Sequence, residues 1–414
     1  MGHFTHGFIF LVSLIVLATL GNLLSRQLGL PTTTFQLVIG ILLGPSLLNL
    51  LGTPLVLGTW GSISPSFLHR LLKILAEMGL IQLMFLAGFQ TDWNQLKTKV
   101  KPILSVGGWE FIVTAVGVVI ITRLFADRWA EDLAVGAIMA ASSFGISVYN
   151  QSEIGLLGSE VSTISTGAAI LSGLLAMLLM ILSLSVNYAA SFGGFKAIIA
   201  VSWFLGKLVM FFAVAYFLTS RFLILASRSG VKKRPNQMLI GYLLLVAAIY
   251  AWAAMHFGSF AAIGAASLGG ALLGMSPFEI KEKIGKGFGT GPASLLIGVL
   301  FVVLGMEVNL KIIGGQVIFL AVLLVAVIVS RLIGIYVSVR KDSESLRDRA
   351  FIMIGNLAQG EVGAVIAAYL FSRGLVSPSQ FNLSITLVVM LAMITPVLMR
   401  ITMKMPLRRG LELE

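Results

Sequence analysis

Cysteine is absent from all 414 residues, so neither a disulfide nor a thiol contributes to structure or chemistry. Histidine is scarce: four scattered residues with no cysteine beside them argue against a zinc site. Charge is sparse too. Asp, Glu, Lys and Arg make up 11% of the chain, against about 25% in soluble domains. No acidic residue occurs between Val161 and Phe278. There is no nucleophile–base pair, metal-ligand spacing or phosphate loop, so an enzyme is not expected, and no cofactor. The glycine-rich run Gly285-Lys286-Gly287-Phe288-Gly289-Thr290-Gly291 lacks the spacing of a nucleotide loop and reads as a flexible connection.

What is plentiful is apolar surface. Hydrophobic residues form 57% of the chain and mean hydropathy is +0.99. A chain this long and apolar cannot hide its surface in one aqueous core, so lipid must be its solvent. A membrane span needs about 20 apolar residues. Thirteen segments qualify: 7–27, 32–50, 67–90, 102–125, 130–154, 160–188, 195–225, 236–256, 258–275, 291–308, 313–339, 347–372 and 379–404. Met1 to Gly7 has no Lys or Arg and the apolar run from Phe8 passes Leu20, so the first segment reads as a retained span rather than a cleaved signal. Leu411 to Glu414 reads as a cloning scar.

The net charge of +12 is explained by topology. With an odd number of spans the termini lie on opposite sides. If the N-terminus is outside, 20 of the 29 Lys and Arg fall in inward loops, seven fall outside, and Lys207 and Arg331 lie within spans. That asymmetry supports an external N-terminus and a cytoplasmic C-terminus, with attraction to anionic inner-leaflet lipid. It leaves no case for nucleic acid as a partner.

Four segments depart from plain apolar helix. They are Gly40-Ile41-Leu42-Leu43-Gly44-Pro45-Ser46, Leu80 to Asp92 (LIQLMFLAGFQTD), Gly264 to Gly274 (GAASLGGALLG) and Phe301 to Asn309 (FVVLGMEVN). Each glycine alone reads as close helix packing, common in membranes. In this order, across Leu28 to Met399, the set resembles the monovalent cation:proton antiporter superfamily. The nearest branch holds bacterial sodium/proton antiporters and glutathione-gated potassium efflux systems. One departure is Phe89-Gln90, where that family usually has Leu-Glu.

The resemblance implies an all-α polytopic fold of about 13 transmembrane helices built from two inverted repeats, with two crossing discontinuous helices. It implies a dimer bundle from spans near 7–90 and 195–308, a core bundle from spans near 102–188 and 313–404, and a homodimer in a bacterial inner or organellar membrane. It also implies exchange of Na+ or K+ for H+. Breaking helices at mid-membrane lets freed backbone groups bind ions while shielded from lipid. Two candidate breaks stand out. The fifth span contains Ala140-Ala141-Ser142-Ser143-Phe144-Gly145-Ile146-Ser147, followed by Asn150, Gln151, Glu153 and Gly155, which matches the family's polar stretch ending E-x-G. The twelfth contains Gly355-Asn356-Leu357-Ala358-Gln359-Gly360-Glu361, similar to the family's P-R-G-E-V with Ala358-Gln359 for Pro-Arg. The plainer alternative is a pair of Gly/Ser packing faces.

Charges within spans cost about 2.5–3.5 kcal/mol or more, so each needs a reason. Glu110, Lys207, Arg331 and Glu361 qualify, and Glu77 lies in the third span. The family carries a Lys or Arg at the place of Arg331, beside the ion site. Arg331 reads as a clamp on helix C-termini or as a fixed counter-charge. Glu361 reads as a cap at the twelfth-span break, Glu110 as an interhelical hydrogen bond, and Lys207 as a side chain that snorkels.

The main departure from the family is in the sixth span. An essential Asp is expected eighteen residues after the E-x-G glycine, and counting from Gly155 reaches Gly173, preceded by Ser172. Exchange needs one group that binds either H+ or a cation but not both. Serine cannot do this. Glu361 is the first candidate to stand in and Glu110 the second. Ser142, Ser143, Ser147, Thr166 and Ser172 offer oxygens to a desolvated Na+ or K+, or are packing hydroxyls; Asn356 and Gln359 add amide groups. The leading expectation is a secondary transporter exchanging Na+ or K+ for H+. The alternatives are the same fold carrying an anion or an uncoupled ion, and a non-transporting scaffold.

Overall fold

The computed structural model describes residues 2–28, 31–49, 65–125, 128–195, 259–274, 293–339 and 346–403, with scattered positions between 198 and 217. Lys207, the expected span 236–256 and the run 285–291 lie outside the described residues. The chain is all-α. The described helices are α1 (Gly2–Leu28), α2 (Thr32–Leu43), α3 (Pro65–Gln90), α4 (Trp93–Thr98), α5 (Val100–Arg123), α6 (Trp129–Ala140), α7 (Phe144–Glu153) and α8 (Glu160–Phe192). They continue with α9 (Ser259–Gly274), α10 (Ala293–Met306), α11 (Leu310–Ile313), α12 (Val317–Val339), α13 (Leu346–Gly355), α14 (Glu361–Ser372) and α15 (Pro378–Met403). Among the described residues, seven segments are long and apolar enough to cross a membrane.

Three expected spans differ in detail, each for a local reason. The second ends at Leu43 rather than near residue 50. Pro45 disfavours helical backbone at Gly44, and the chain turns through residues 44–48. The fifth and twelfth are each two helices: α6 and α7 are separated by Ala141–Ser143, α13 and α14 by Asn356–Gly360.

The chain divides into two compact units. Unit 1 holds residues 1–28, 35–93 and 202–306; unit 2 holds 29–34, 94–201 and 307–414. Unit 1 is packed through glycine. A Cβ on Gly40 would collide with the carbonyl oxygen of Val302, and one on Gly305 with that of Leu37, so α2 and α10 touch backbone to backbone. Gly88 and Gly270 do the same for α3 and α9, against the carbonyls of Ser267 and Phe85. An apolar cluster of Leu14, Ala18, Leu72, Leu75, Val299 and Val302 fills the space between α1, α3 and α10.

Unit 2 is built around α5, which packs on α6, α8 and α12. Its buried face reads Ile103, Val106, Gly107, Glu110, Thr114 and Val118, a helical stripe with a carboxylate in the middle. The opposite side, Leu104, Ile112, Val116 and Ile120, is more than half exposed apolar surface, as a lipid-facing helix requires. The segment α6–α7 is buried almost throughout. The start of α8 is fixed by Ser159, whose hydroxyl accepts from the Ser162 amide at 3.1 Å.

Candidate functional site

Interrupting a helix frees backbone groups that no lipid can satisfy. At both breaks of unit 2 these groups find partners in each other and in buried side chains. The Ser143 amide donates to the Ala358 carbonyl at 2.9 Å, which ties the two breaks together. Ser172 of α8 bridges the first break: its hydroxyl donates to the Ala140 carbonyl at 2.8 Å and accepts from the Ser142 amide at 3.3 Å.

Arg331 of α12 serves the helix ends that carry negative dipole. It is fully buried. Its Nη1 donates to the Asn356 carbonyl at 2.6 Å and to Ser142 Oγ at 2.9 Å. Its Nη2 donates to the carbonyls of Met139 at 2.8 Å and Ala141 at 2.9 Å. One planar guanidinium thus closes the C-termini of α6 and α13 together, which a lysine's point charge cannot do. Gln359 adds a donor to the Met139 carbonyl, and its Oε1 is buried without a partner.

Glu361 serves the opposite polarity. It stands in the first turn of α14, and its carboxylate reaches the first turn of α7. One oxygen accepts from the Ser143 hydroxyl and the other from the Gly145 amide at 2.8 Å. Both oxygens are therefore engaged at helix N-termini, where anions are favoured. Ser143 itself caps α7 by accepting from the Ile146 amide at 3.1 Å.

Glu110 is held differently. It is fully buried on α5. Its Oε1 accepts from the Ser142 hydroxyl and lies 3.5 Å from Arg331 Nη1. Its Oε2 is buried with no partner. Gly173 faces the same place: a Cβ there would stand 3.7 Å from Val362 and 3.8 Å from the Ser142 carbonyl, ordinary contact distances.

The structure thus brings Glu110, Ser142, Ser143, Ser172, Gly173, Arg331, Asn356, Gln359 and Glu361 to the two breaks. Ser147 lies one turn into α7, where it accepts from Gln151 Nε2 at 2.9 Å. Glu77 is exposed and belongs to unit 1, whereas the two breaks belong to unit 2. Sequence reasoning did not single out the carbonyls of Met139 and Ala141, because backbone acceptors leave no mark in a sequence. It also passed over Ser162 and Ser165. Their spacing with Thr166, three and four residues along one helix face, was the available signal.

Paired interrupted helices around a buried arginine and two buried carboxylates are the architecture of a secondary ion transporter. The chain belongs to the sodium/hydrogen exchanger family of transmembrane proteins, which matches residues 12–404. It is a multi-pass membrane protein. It is 27% identical to the Na(+)/H(+)-K(+) antiporter GerN of Bacillus cereus, over 95% of this chain and 96% of that one. It is 24% identical to a Na(+)/H(+) antiporter of Enterococcus hirae, over 95% and 97%. Its fold is similar to that of the sodium proton antiporter MjNhaP1 from Methanocaldococcus jannaschii. The TM-score is 0.68 at 15% identity, covering 97% of this chain and 99% of that one.

Proposed function

We propose that the chain exchanges Na+ or K+ for H+ by alternating access, with Glu110 as the group that carries either the proton or the cation. The observation that carries this reading is the unpartnered Oε2 of Glu110 beside an otherwise balanced set of charges. A helix end carries about half an elementary charge. Arg331 faces two C-terminal ends, and Glu361 faces two N-terminal ends, so each is offset locally. Glu110 is the charge left over. A buried leftover carboxylate must take up either a proton or a cation, and that either-or is the requirement for exchange. Glu361 suits the role less well, because both its oxygens already hold helix starts. An anion carrier also finds less support, because both Nη groups of Arg331 are taken by three carbonyls and a hydroxyl, which leaves Nε as its one buried donor without a partner.

The names of the Bacillus and Enterococcus relatives support the ion classes. We further read unit 2 as the moving core and unit 1 as the bundle through which two copies pair. The Lys and Arg distribution supports an external N-terminus with the basic loops against anionic lipid, in a bacterial inner or organellar membrane.

The test is reconstitution into liposomes with an internal pH dye and an imposed ΔpH, followed by pulses of Na+, K+, Li+ and then chloride or bicarbonate. A saturable, cation-dependent collapse of ΔpH is expected, abolished by Glu110→Gln and retained by Glu361→Gln. Full exchange by Glu110→Gln would remove Glu110 as carrier; no response to any cation would remove exchange itself.

A further inference from the structure

A second polar cluster lies in unit 2, beyond the breaks and toward the turn between α7 and α8. Its centre is Gln151, whose amide is used on both sides. Nε2 donates to Ser147 Oγ at 2.9 Å and to Ser165 Oγ at 3.4 Å. Oε1 accepts from the hydroxyl of Ser162 and from that of Thr166 at 3.2 Å. Asn356 Nδ2 donates to the Ile352 carbonyl at 2.9 Å and also reaches Ser165 Oγ at 3.3 Å. None of these six side chains is more than 3% exposed. Gly355 makes room for the approach: a Cβ there would stand 3.0 Å from Ser165 Oγ.

The cluster contains no charge, which separates it from the site at the breaks. It is rich in oxygen and converges from three helices, α7, α8 and the end of α13. Asn356 Oδ1 is buried and has no partner, although it belongs to the same planar amide whose Nδ2 touches Ser165. Hydrogen bonding between helices accounts for the satisfied groups but not for this one, since a buried acceptor left empty is unfavourable. The hydroxyls of Ser162 and Thr166 each have one proton and can rotate it away from Gln151 Oε1, offering lone pairs and freeing that oxygen, while Ser165 accepts from two amides and holds them in place. Asn356 also links the cluster to the first site: its own carbonyl accepts from Arg331, which lies beside Glu110.

From these observations we infer that Gln151, Ser162, Thr166 and Asn356, positioned by Ser165, form a binding station for a partly dehydrated monovalent alkali cation that shares Asn356 with the Glu110 site. Hard neutral oxygens suit such an ion. A cage without carboxylate does not offset the dehydration of a divalent ion, so Ca2+ and Mg2+ are excluded. The station deepens the exchange reading. It selects the cation before Glu110 is reached, from the cytoplasmic side in the orientation proposed above. Ion identity would then be set by hydroxyl and amide geometry, and proton coupling by Glu110.

The test is direct binding of 22Na+ to the purified full chain in nanodiscs, with K+, Li+ and Mg2+ as competitors, beside exchange in liposomes. The station predicts saturable binding with alkali competition and no competition by Mg2+. Gln151→Leu should weaken the apparent Kd about tenfold or more. Gln151→Glu, which adds a charge at the same position, should tighten it. Tightening is a response that a purely structural glutamine would not give. Thr166→Val, a milder change, should shift the order of Li+, Na+ and K+ if Gln151→Leu does not fold. Unchanged affinity in Gln151→Leu and Gln151→Glu with only a lower melting temperature overturns the station, as does absence of saturable binding to the unsubstituted protein. Gln151-dependent binding without any exchange would instead overturn the exchange reading and leave the station standing.

Discussion

Unit 1 and unit 2 are both made of apolar helices that touch at glycine, yet the described residues of unit 2 add buried charge at two helix breaks. In unit 1 helices meet where side chains are missing: Gly40 against α10, Gly305 against α2, Gly88 against α9 and Gly270 against α3. In unit 2 glycine again brings helices together, Gly334 against α5 and Gly107 against α8, but there Arg331 also gathers two C-terminal ends and Glu361 two N-terminal ends. Lipid gives no hydrophobic force between helices, so unit 1 relies on close dispersion contact. Unit 2 has given up helix continuity, and its freed backbone groups demand hydrogen-bonding partners. The same family motifs thus do two jobs. The glycine motifs bring helices into backbone contact, and the polar breaks gather the buried charges.

Substitutions can break this contrast. The largest effect is expected for Arg331→Met. It leaves the carbonyls of Met139, Ala141 and Asn356 and the Glu110 carboxylate without their shared cation, a loss of about 3–5 kcal/mol. Thermal unfolding in detergent should show a protein that fails to accumulate or melts far lower; a normal melting temperature would refute the clamp. Gly40→Leu comes next. It drives a side chain into the backbone of α10 and should cost about 1–3 kcal/mol or more by overpacking, read by the same melt. If unit 1 is only scaffold, any surviving Gly40→Leu protein keeps its cation selectivity in liposomes, and altered selectivity would blur the contrast.

Glu361→Gln sharpens the comparison inside unit 2. It removes one charged cap while keeping its shape, and should lower stability by about 1–3 kcal/mol. Glu110→Gln loses its ion pair with Arg331 but leaves every bond of Arg331 and Glu361 to helix ends in place, so its melting temperature should fall less than that of Glu361→Gln while its exchange is lost. The reverse pattern would exchange the two roles. The smallest effect is expected for Ser159→Ala, which deletes the α8 cap bond to Ser162 and should cost about 1 kcal/mol. A larger loss would mean that the start of α8 is set by more than its cap.

Much of this was legible in the sequence. The apolar composition made lipid the solvent, and the Gly/Ser and Asn-Leu-Ala-Gln-Gly interruptions marked the two breaks. Residues 141–143 and 356–360 are indeed where α6–α7 and α13–α14 part. The early end of α2 was legible too, in Gly44-Pro45, although apolar content argued for continuing to residue 50. The difference between the two buried carboxylates was not. Glu361 sits next to a break in the sequence and Glu110 in the middle of a long helix, so proximity along the chain favoured Glu361. We propose the opposite order, supported by where the two side chains lie. The fold set Glu361 against the first turn of α7, where both oxygens are used, and turned the polar stripe of α5 so that Glu110 faces Arg331 with one oxygen left over.

By itself the sequence determined the class of protein, because hydrophobic run length, basic-loop asymmetry and helix-breaking residues act locally on a chain in lipid. Only the tertiary structure decided which carboxylate caps a helix start and which pairs with Arg331. That assignment depends on backbone carbonyls and amides from helices more than 200 residues apart, such as the Gly145 amide and Glu361. Backbone groups are the same in every residue, so no sequence pattern announces which of them a buried charge will meet.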